Sequence, residues 1–220
     1  LNQHISTSAH QHISTSAHQH ISISAHLIMI AIIKYNAGNI TSVENAVRRL
    51  GYPCLVTDDI DEILRADKVI FPGVGEAKSA MVYLKEKELD DVIQSLRQPV
   101  LGICLGLQLM CSHSEEGDTA CFGIFDARVK KFPPGEIVPH MGWNNLSDPQ
   151  GPLFTGFGKD DTVYFVHSYY AELCAQTIAT CDYILPFSAA MQRDNFYATQ
   201  FHPEKSGSVG ENILRNFLKL

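Results

Sequence analysis

Beyond Ile30 the chain alternates short apolar runs with stretches in which apolar residues recur every three or four positions. Strand and helix periods interleaved in this way predict a layered α/β fold, with a mostly parallel central sheet flanked by helices. Residues 29–34 read as the first strand. Tyr35-Asn-Ala-Gly-Asn39 then leads into a helix whose Ile40, Val43, Val47 and Leu50 share one face, with Gly51 as its stop. Further strands are predicted at Cys54–Thr57 and Lys68–Phe71, and helices over residues 77–85 and 89–96. The stretch 122–142 is richer in Pro and Gly and contains β-like pieces such as 127–132, which predicts a smaller antiparallel addition to the sheet. Strands at Thr162–His167, 177–181, 189–192 and 196–201 follow. A closing helix places Val209, Ile213, Leu214 and Phe217 on one stripe.

The beginning of the chain does not share this pattern. Residues 3–26 are three copies of an octapeptide, two of them identical as Gln-His-Ile-Ser-Thr-Ser-Ala-His and the third differing only at Ile23. Eight residues are too few for a supersecondary unit, and the segment has little apolar mass to bury. Residues 1–28 are therefore set aside as a non-native or low-complexity repeat leader, with Met29 as a candidate natural start and a single domain over 29–220. The leader lacks the charged and apolar regions of a secretory signal. Its pairs His10/His12 and His18/His20 could hold a metal only weakly.

Composition narrows the classes further. The 220 residues are 45% hydrophobic and 19% charged, which fits one globular domain with a sizeable core. A formal charge of -7 and the lack of a dense Lys/Arg patch argue against nucleic-acid binding. No apolar run is long enough to span a bilayer. The six cysteines form no CxxC pair and no zinc-like spacing. Disulfides are open on the even count, but a reactive cysteine in a chain of this size favours a reducing, cytoplasmic setting, with five of the six as packing residues.

That reactive cysteine is Cys104, in Gly102-Ile-Cys-Leu-Gly-Leu-Gln108, where an apolar strand turns abruptly into a helical pattern. Glycines two residues before and two after let the chain pivot sharply around a strained central residue. The sulfur is then presented at the edge of the sheet, at the positive end of a helix starting near Leu105, a place that favours thiolate and whose N–H groups can hold an oxyanion. Near the chain's end, Gln200-Phe-His-Pro-Glu204 reads as a strand ending in His-Pro-Glu, so His202 and Glu204 point to one side and the carboxylate can orient the imidazole. Alone, those two also fit a strand cap and a solvated turn residue. With Cys104 they supply nucleophile, base and orienting acid for acyl transfer, chemistry that requires no metal or organic cofactor.

Phe71-Pro-Gly-Val-Gly75 ends another strand with two glycines, and its loop can bring a second N–H to the oxyanion. A phosphate loop is the rival reading, but neither a P-loop lysine nor a GxGxxG follows. Gln108 lies one turn past Cys104, where its amide could meet a polar substrate or simply pack. Tyr164-Phe-Val-His-Ser-Tyr-Tyr170 offers aromatic walls and hydroxyls, or only core and edge.

Together these segments resemble the class I, triad-type glutamine amidotransferases, whose flavodoxin-like fold the resemblance implies for residues 29–220. Within them, Tyr-Asn-Ala-Gly-Asn-Ile at 35–40, Ser-Glu-Glu-Gly at 114–117, Pro-His-Met-Gly-Trp-Asn at 139–144 and Phe-Val-His-Ser-Tyr at 165–169 are similar to glutaminase subunits of imidazole glycerol phosphate synthase. The resemblance implies a glutaminase of L-histidine biosynthesis that passes ammonia to a (β/α)-barrel cyclase subunit. It makes Cys104 the nucleophile, His202 the acid and base, Glu204 the orienter, and Val74 and Leu105 the oxyanion donors. It places Gly75, Gln108, Ser168 and Tyr169 at glutamine and Asn39, Trp143 and Lys205 at the cyclase interface. The chain departs from the family pattern at Lys34 and Asn36, where Asp and Gly are common, and at Cys121, where Gly is common. Other readings of the same residues are a glutaminase serving an anthranilate or nucleotide synthase, a non-catalytic docking subunit, and a cysteine peptidase.

Overall fold

A computed structural model describes residues 28–135 and 137–220; the expected leader, apart from Ile28, lies outside the described residues. The chain runs through β1 (Ile30–Ile33), α1 (Ile40–Arg49), β2 (Cys54–Thr57), α2 (Ile60–Arg65) and β3 (Lys68–Phe71). Helices α3 (Ala77–Glu86) and α4 (Leu89–Ser95) lead to β4 (Val100–Ile103) and α5 (Leu105–Met110). Short strands β5 (His113–Ser114), β6 (Thr119–Ala120), β7 (Arg128–Lys131) and β8 (His140–Asn145) come next. Then follow β9 (Thr162–His167), β10 (Tyr169–Ala171), β11 (Thr177–Tyr183), β12 (Leu185–Arg193), β13 (Phe196–Thr199) and the closing helix α6 (Gly207–Leu218).

The main sheet has seven strands in the order β11-β12-β13-β4-β3-β1-β2. Strands β2, β1, β3, β4 and β13 are mutually parallel, while β11 and β12 add an antiparallel edge. Both faces are covered, which is why the parallel strands read as nearly continuous apolar runs. Along β1, Ile30 and Ile32 pack into the cluster containing α1 and α6, while Ala31 and Ile33 pack into the one containing α2, α3, α4 and α5. Ile213, Leu214 and Phe217 of α6 are fully or almost fully buried, and each side chain of this kind stabilises the fold by about 1.5–3 kcal/mol.

The structure corrects several boundaries. The 122–142 stretch does not extend the main sheet: β7 joins a separate four-stranded sheet, β10-β7-β5-β6, and β8 pairs antiparallel with β9. The last strand stops at Thr199 rather than at 201, because His202 opens a 3-10 turn over Pro203–Lys205. Helix α2 was not predicted. Its six residues are too few to display a periodic face, and its start is fixed by Asp59, whose carboxylate accepts the Glu62 N–H at 3.0 Å.

A candidate active site

Two neighbouring parallel strands bring the distant motifs together. Ile103 of β4 is in register with Thr199 of β13, so the residues just past each strand, Cys104 and Gln200, leave the sheet side by side. The Cys104 N–H donates to the Thr199 carbonyl at 2.7 Å, tying the nucleophile turn to the segment that leads to His202. Cys104 itself has φ 54° and ψ -103°, a strained conformation for a side-chain-bearing residue, which costs on the order of 1–3 kcal/mol. The flanking glycines make it attainable: a Cβ at Gly106 would lie 2.0 Å from the Phe71 carbonyl oxygen.

His202 and Glu204 meet through the 3-10 turn, not along a continued strand. His202 Nδ1 lies 2.7 Å from Glu204 Oε1, and both side chains are fully buried. A carboxylate only accepts, so Nδ1 carries a proton toward Glu204 and Nε2 is the ring atom left to exchange a proton with the sulfur. Nε2 makes no hydrogen bond of normal geometry among the described residues, yet the sulfur is close enough to act on the ring. Burial lowers the His202 pKa, but the Cys104 thiolate together with the Glu204 carboxylate outweighs it and brings it to about 10. Cation and anion therefore support each other within the pair.

Asn39, assigned by resemblance to a partner interface, turns inward. It precedes α1 with φ 72° and makes no capping bond to that helix. Its Nδ2 donates to Glu204 Oε1 and comes within 3.4 Å of His202 Nδ1. Trp143 and Lys205 are exposed.

In front of the sulfur lies a cleft of about 270 Å³. Its walls include Cys104, the two expected oxyanion residues Val74 and Leu105, and the four expected glutamine contacts Gly75, Gln108, Ser168 and Tyr169. A larger cleft of about 430 Å³ beside Asp126, Arg128 and Glu172 contains none of these residues, so size alone does not mark the site. The two expected oxyanion donors are not aligned with each other: the Leu105 N–H donates to the Gly73 carbonyl at 3.2 Å. In the trans peptide joining Gly73 to Val74, the Val74 N–H points opposite to that carbonyl, away from Leu105. Tyr35 Oη donates to the Pro72 carbonyl at 2.6 Å, and the Gly38 N–H donates to the Val74 carbonyl at 3.0 Å. The loop after β1 thus clasps this segment from both flanks.

Sequence reasoning missed two residues in the cleft wall and behind it. Glu116 lines the cleft and accepts the Ala77 N–H at 2.7 Å; burial raises its pKa, and that hydrogen bond tempers the rise. It sits in the Ser-Glu-Glu-Gly segment, singled out for resemblance but given no role. Gln200 is fully buried next to Cys104, and its signal was a polar residue inside an apolar run. Behind Ser168 and Tyr169, His167 and His140 share a hydrogen bond of 3.1 Å, and His167 Nδ1 donates to the Tyr169 carbonyl at 2.7 Å.

The sheet order agrees with comparisons to known proteins. The family Glutamine amidotransferase class-I matches residues 31–220. The chain belongs to the class-I glutamine amidotransferases. A crystal structure of a glutamine amidotransferase aligns with TM-score 0.67 and 18% identity over 86% of this chain and 97% of its own, which speaks to the fold alone. Imidazole glycerol phosphate synthase subunit HisH from Bacteroides fragilis is 60% identical over 194 residues, 87% of this chain and 99% of that protein. HisH from Pasteurella multocida is 49% identical over 192 residues, 86% and 97% of the two chains. Within its class, the chain is a member of the HisH family.

Proposed function

We propose that this chain hydrolyses L-glutamine at Cys104 and passes the ammonia to a (β/α)-barrel cyclase subunit, which makes imidazole glycerol phosphate for L-histidine. The observation that carries this reading is the buried His202–Glu204 pair acting on a sulfur that faces a glutamine-sized cleft. Cys104 gives its thiol proton to His202 Nε2, the sulfur attacks the side-chain amide carbon, and the carbonyl π electrons move to oxygen. His202 protonates the departing nitrogen, the C–N bond breaks, and ammonia leaves a thioester on Cys104. His202 next takes a proton from water, whose oxygen attacks the thioester carbon; the C–S bond breaks and glutamate departs. Glu204 stabilises the imidazolium formed in each half, and Asn39 holds Glu204.

Specificity comes from acceptors in the wall. Both hydrogens of Gln108 Nε2 are engaged by the Tyr169 carbonyl and Gln200 Oε1, so Gln108 turns its oxygen to the cleft. With the Glu116 carboxylate it suits the α-ammonium of a free amino acid, and an ammonium would offset the cost of burying that carboxylate. A peptide substrate lacks that charge at an internal residue.

The occupied Leu105 N–H predicts slow turnover by the chain alone, since one missing oxyanion donor costs about 3 kcal/mol of barrier. Rotating the Gly73–Val74 peptide frees Leu105 and swings the Val74 N–H inward. We assign the trigger to the cyclase, docked on the outward apolar side chains Met141 and Trp143 of β8 (62% and 56% exposed) with Lys205 nearby in the fold. The test is ammonia release from glutamine by the chain alone, with the cyclase subunit and its ligand, and after Cys104→Ala. Release should rise at least about tenfold with the partner and fall to buffer background in the variant, with thermal unfolding preserved. Turnover retained by Cys104→Ala overturns the mechanism.

A further inference from the structure

Gln200 is fully buried just past β13, where an apolar residue would satisfy the core. Its backbone N–H donates to the Ala189 carbonyl at 2.8 Å, so the sheet does not need the side chain. That side chain accepts from Gln108 Nε2 at 3.1 Å and brings its own Nε2 to 3.6 Å from Cys104 Sγ. The direction of these two amides is determined by their surroundings. The Tyr169 carbonyl only accepts, so the Gln108 atom 2.9 Å from it is the nitrogen. That nitrogen has two hydrogens, one for Tyr169 and one for Gln200. Gln200 must therefore show Gln108 its oxygen and Cys104 its NH₂ group.

A buried N–H bonds an anionic sulfur more strongly than a neutral thiol. His202 supplies the cation and Gln200 a neutral donor. Gln108 and Tyr169 also line the cleft, so the wall that meets glutamine fixes the donor on the nucleophile.

We propose that Gln200 is a positioning residue of the reaction: its side-chain amide holds the Cys104 sulfur as the anion, aimed at the cleft, with Gln108 setting the direction of that amide. This rests on the reading of Cys104 as the nucleophile. The test uses the full chain with its cyclase subunit and compares Gln200→Leu, which keeps bulk without a donor, and Gln200→Glu, which presents an acceptor to the sulfur. In both, kcat should fall roughly ten- to hundredfold with KM within about threefold. The pH of half-maximal Cys104 alkylation by iodoacetamide should move up by about one unit, a tenfold loss of anion. A merely structural role would leave that alkylation profile where it was.

If Cys104→Ala retains turnover, the nucleophile assignment fails and this proposal with it. If Cys104→Ala is silent and the Gln200 variants keep the wild-type alkylation profile, the role of Gln200 alone is overturned. Should the variants not fold, the unaltered chain decides: the side-chain ¹⁵N–¹H resonance of Gln200 must shift across the pH range in which Cys104 becomes alkylatable. An unmoved resonance overturns the proposal.

Discussion

On one side of the cleft, Cys104, His202 and Glu204 are locked by the β4–β13 register, a buried 2.7 Å hydrogen bond and the inward Asn39. On the other, the Gly73–Val74 peptide presents a carbonyl to the Leu105 N–H where the reaction calls for amides. On the proposed mechanism, the attacking half is finished and the charge-receiving half is not. Attack by sulfur and stabilisation of the resulting oxyanion are therefore separable properties of the molecule, each open to perturbation without the other.

The largest perturbation expected is on the finished side. Glu204→Gln replaces the acceptor at His202 Nδ1 and disturbs the tautomer, and should lower turnover by about 10³- to 10⁴-fold. The factor should be the same with and without the cyclase if activation acts on the Gly73–Val74 peptide and leaves the triad in place. Unequal factors in paired ammonia-release assays would break the comparison.

A smaller effect is expected behind the substrate wall. Burial lowers the pKa of His140 to about 4 and of His167 to about 3. Unfolded histidine titrates near 6.5, so between about pH 6.5 and pH 3 the unfolded chain binds protons that the folded chain refuses. Stability from this pair is complete above about pH 6.5 and is lost as pH falls, by up to roughly 1.4 kcal/mol per pH unit for each ring. Denaturant midpoints measured from pH 7.5 to 5 should show that slope, and His140→Asn should flatten it. A flat wild-type curve would contradict the neutral pair.

The smallest effect concerns the unfinished side. Burial raises the Tyr35 phenol well above its usual range, so it stays a neutral donor to the Pro72 carbonyl. Tyr35→Phe removes one such bond, worth about 1 kcal/mol. The rate without partner should rise up to about fivefold, while the stimulated rate holds and the ratio shrinks. A ratio unchanged by Tyr35→Phe would mean that the clasp does not hold the resting peptide.

What the sequence disclosed follows the range over which each determinant acts. The Cys104 turn was legible because its causes, Gly102 and Gly106, lie within two residues of it. The parallel strands were legible because burial on both faces leaves unbroken apolar runs. The His202–Glu204 contact was read correctly as a pair but through the wrong geometry, since Pro203 fits an extended chain and a 3-10 turn equally well. β8 escaped notice because Gly142 interrupts it and its outward residues, Met141 and Trp143, are apolar, which inverts the usual alternation. The contacts of Asn39 and Gln200 were beyond local reading, even though Gln200 stands out as a polar residue in an apolar run. The partner of Asn39 lies 165 residues away and that of Gln200 lies 96 away, and only the folded chain sets them side by side.

Strand β13 enters the main sheet between β12 and β4, although it is the last strand in sequence among the described residues. A chain cut before β13 leaves the flank of β4 beside the cysteine turn open and lacks both His202 and Glu204. Such a chain keeps the sulfur but not its base, so the acyl-transfer chemistry depends on the strand that seats the imidazole.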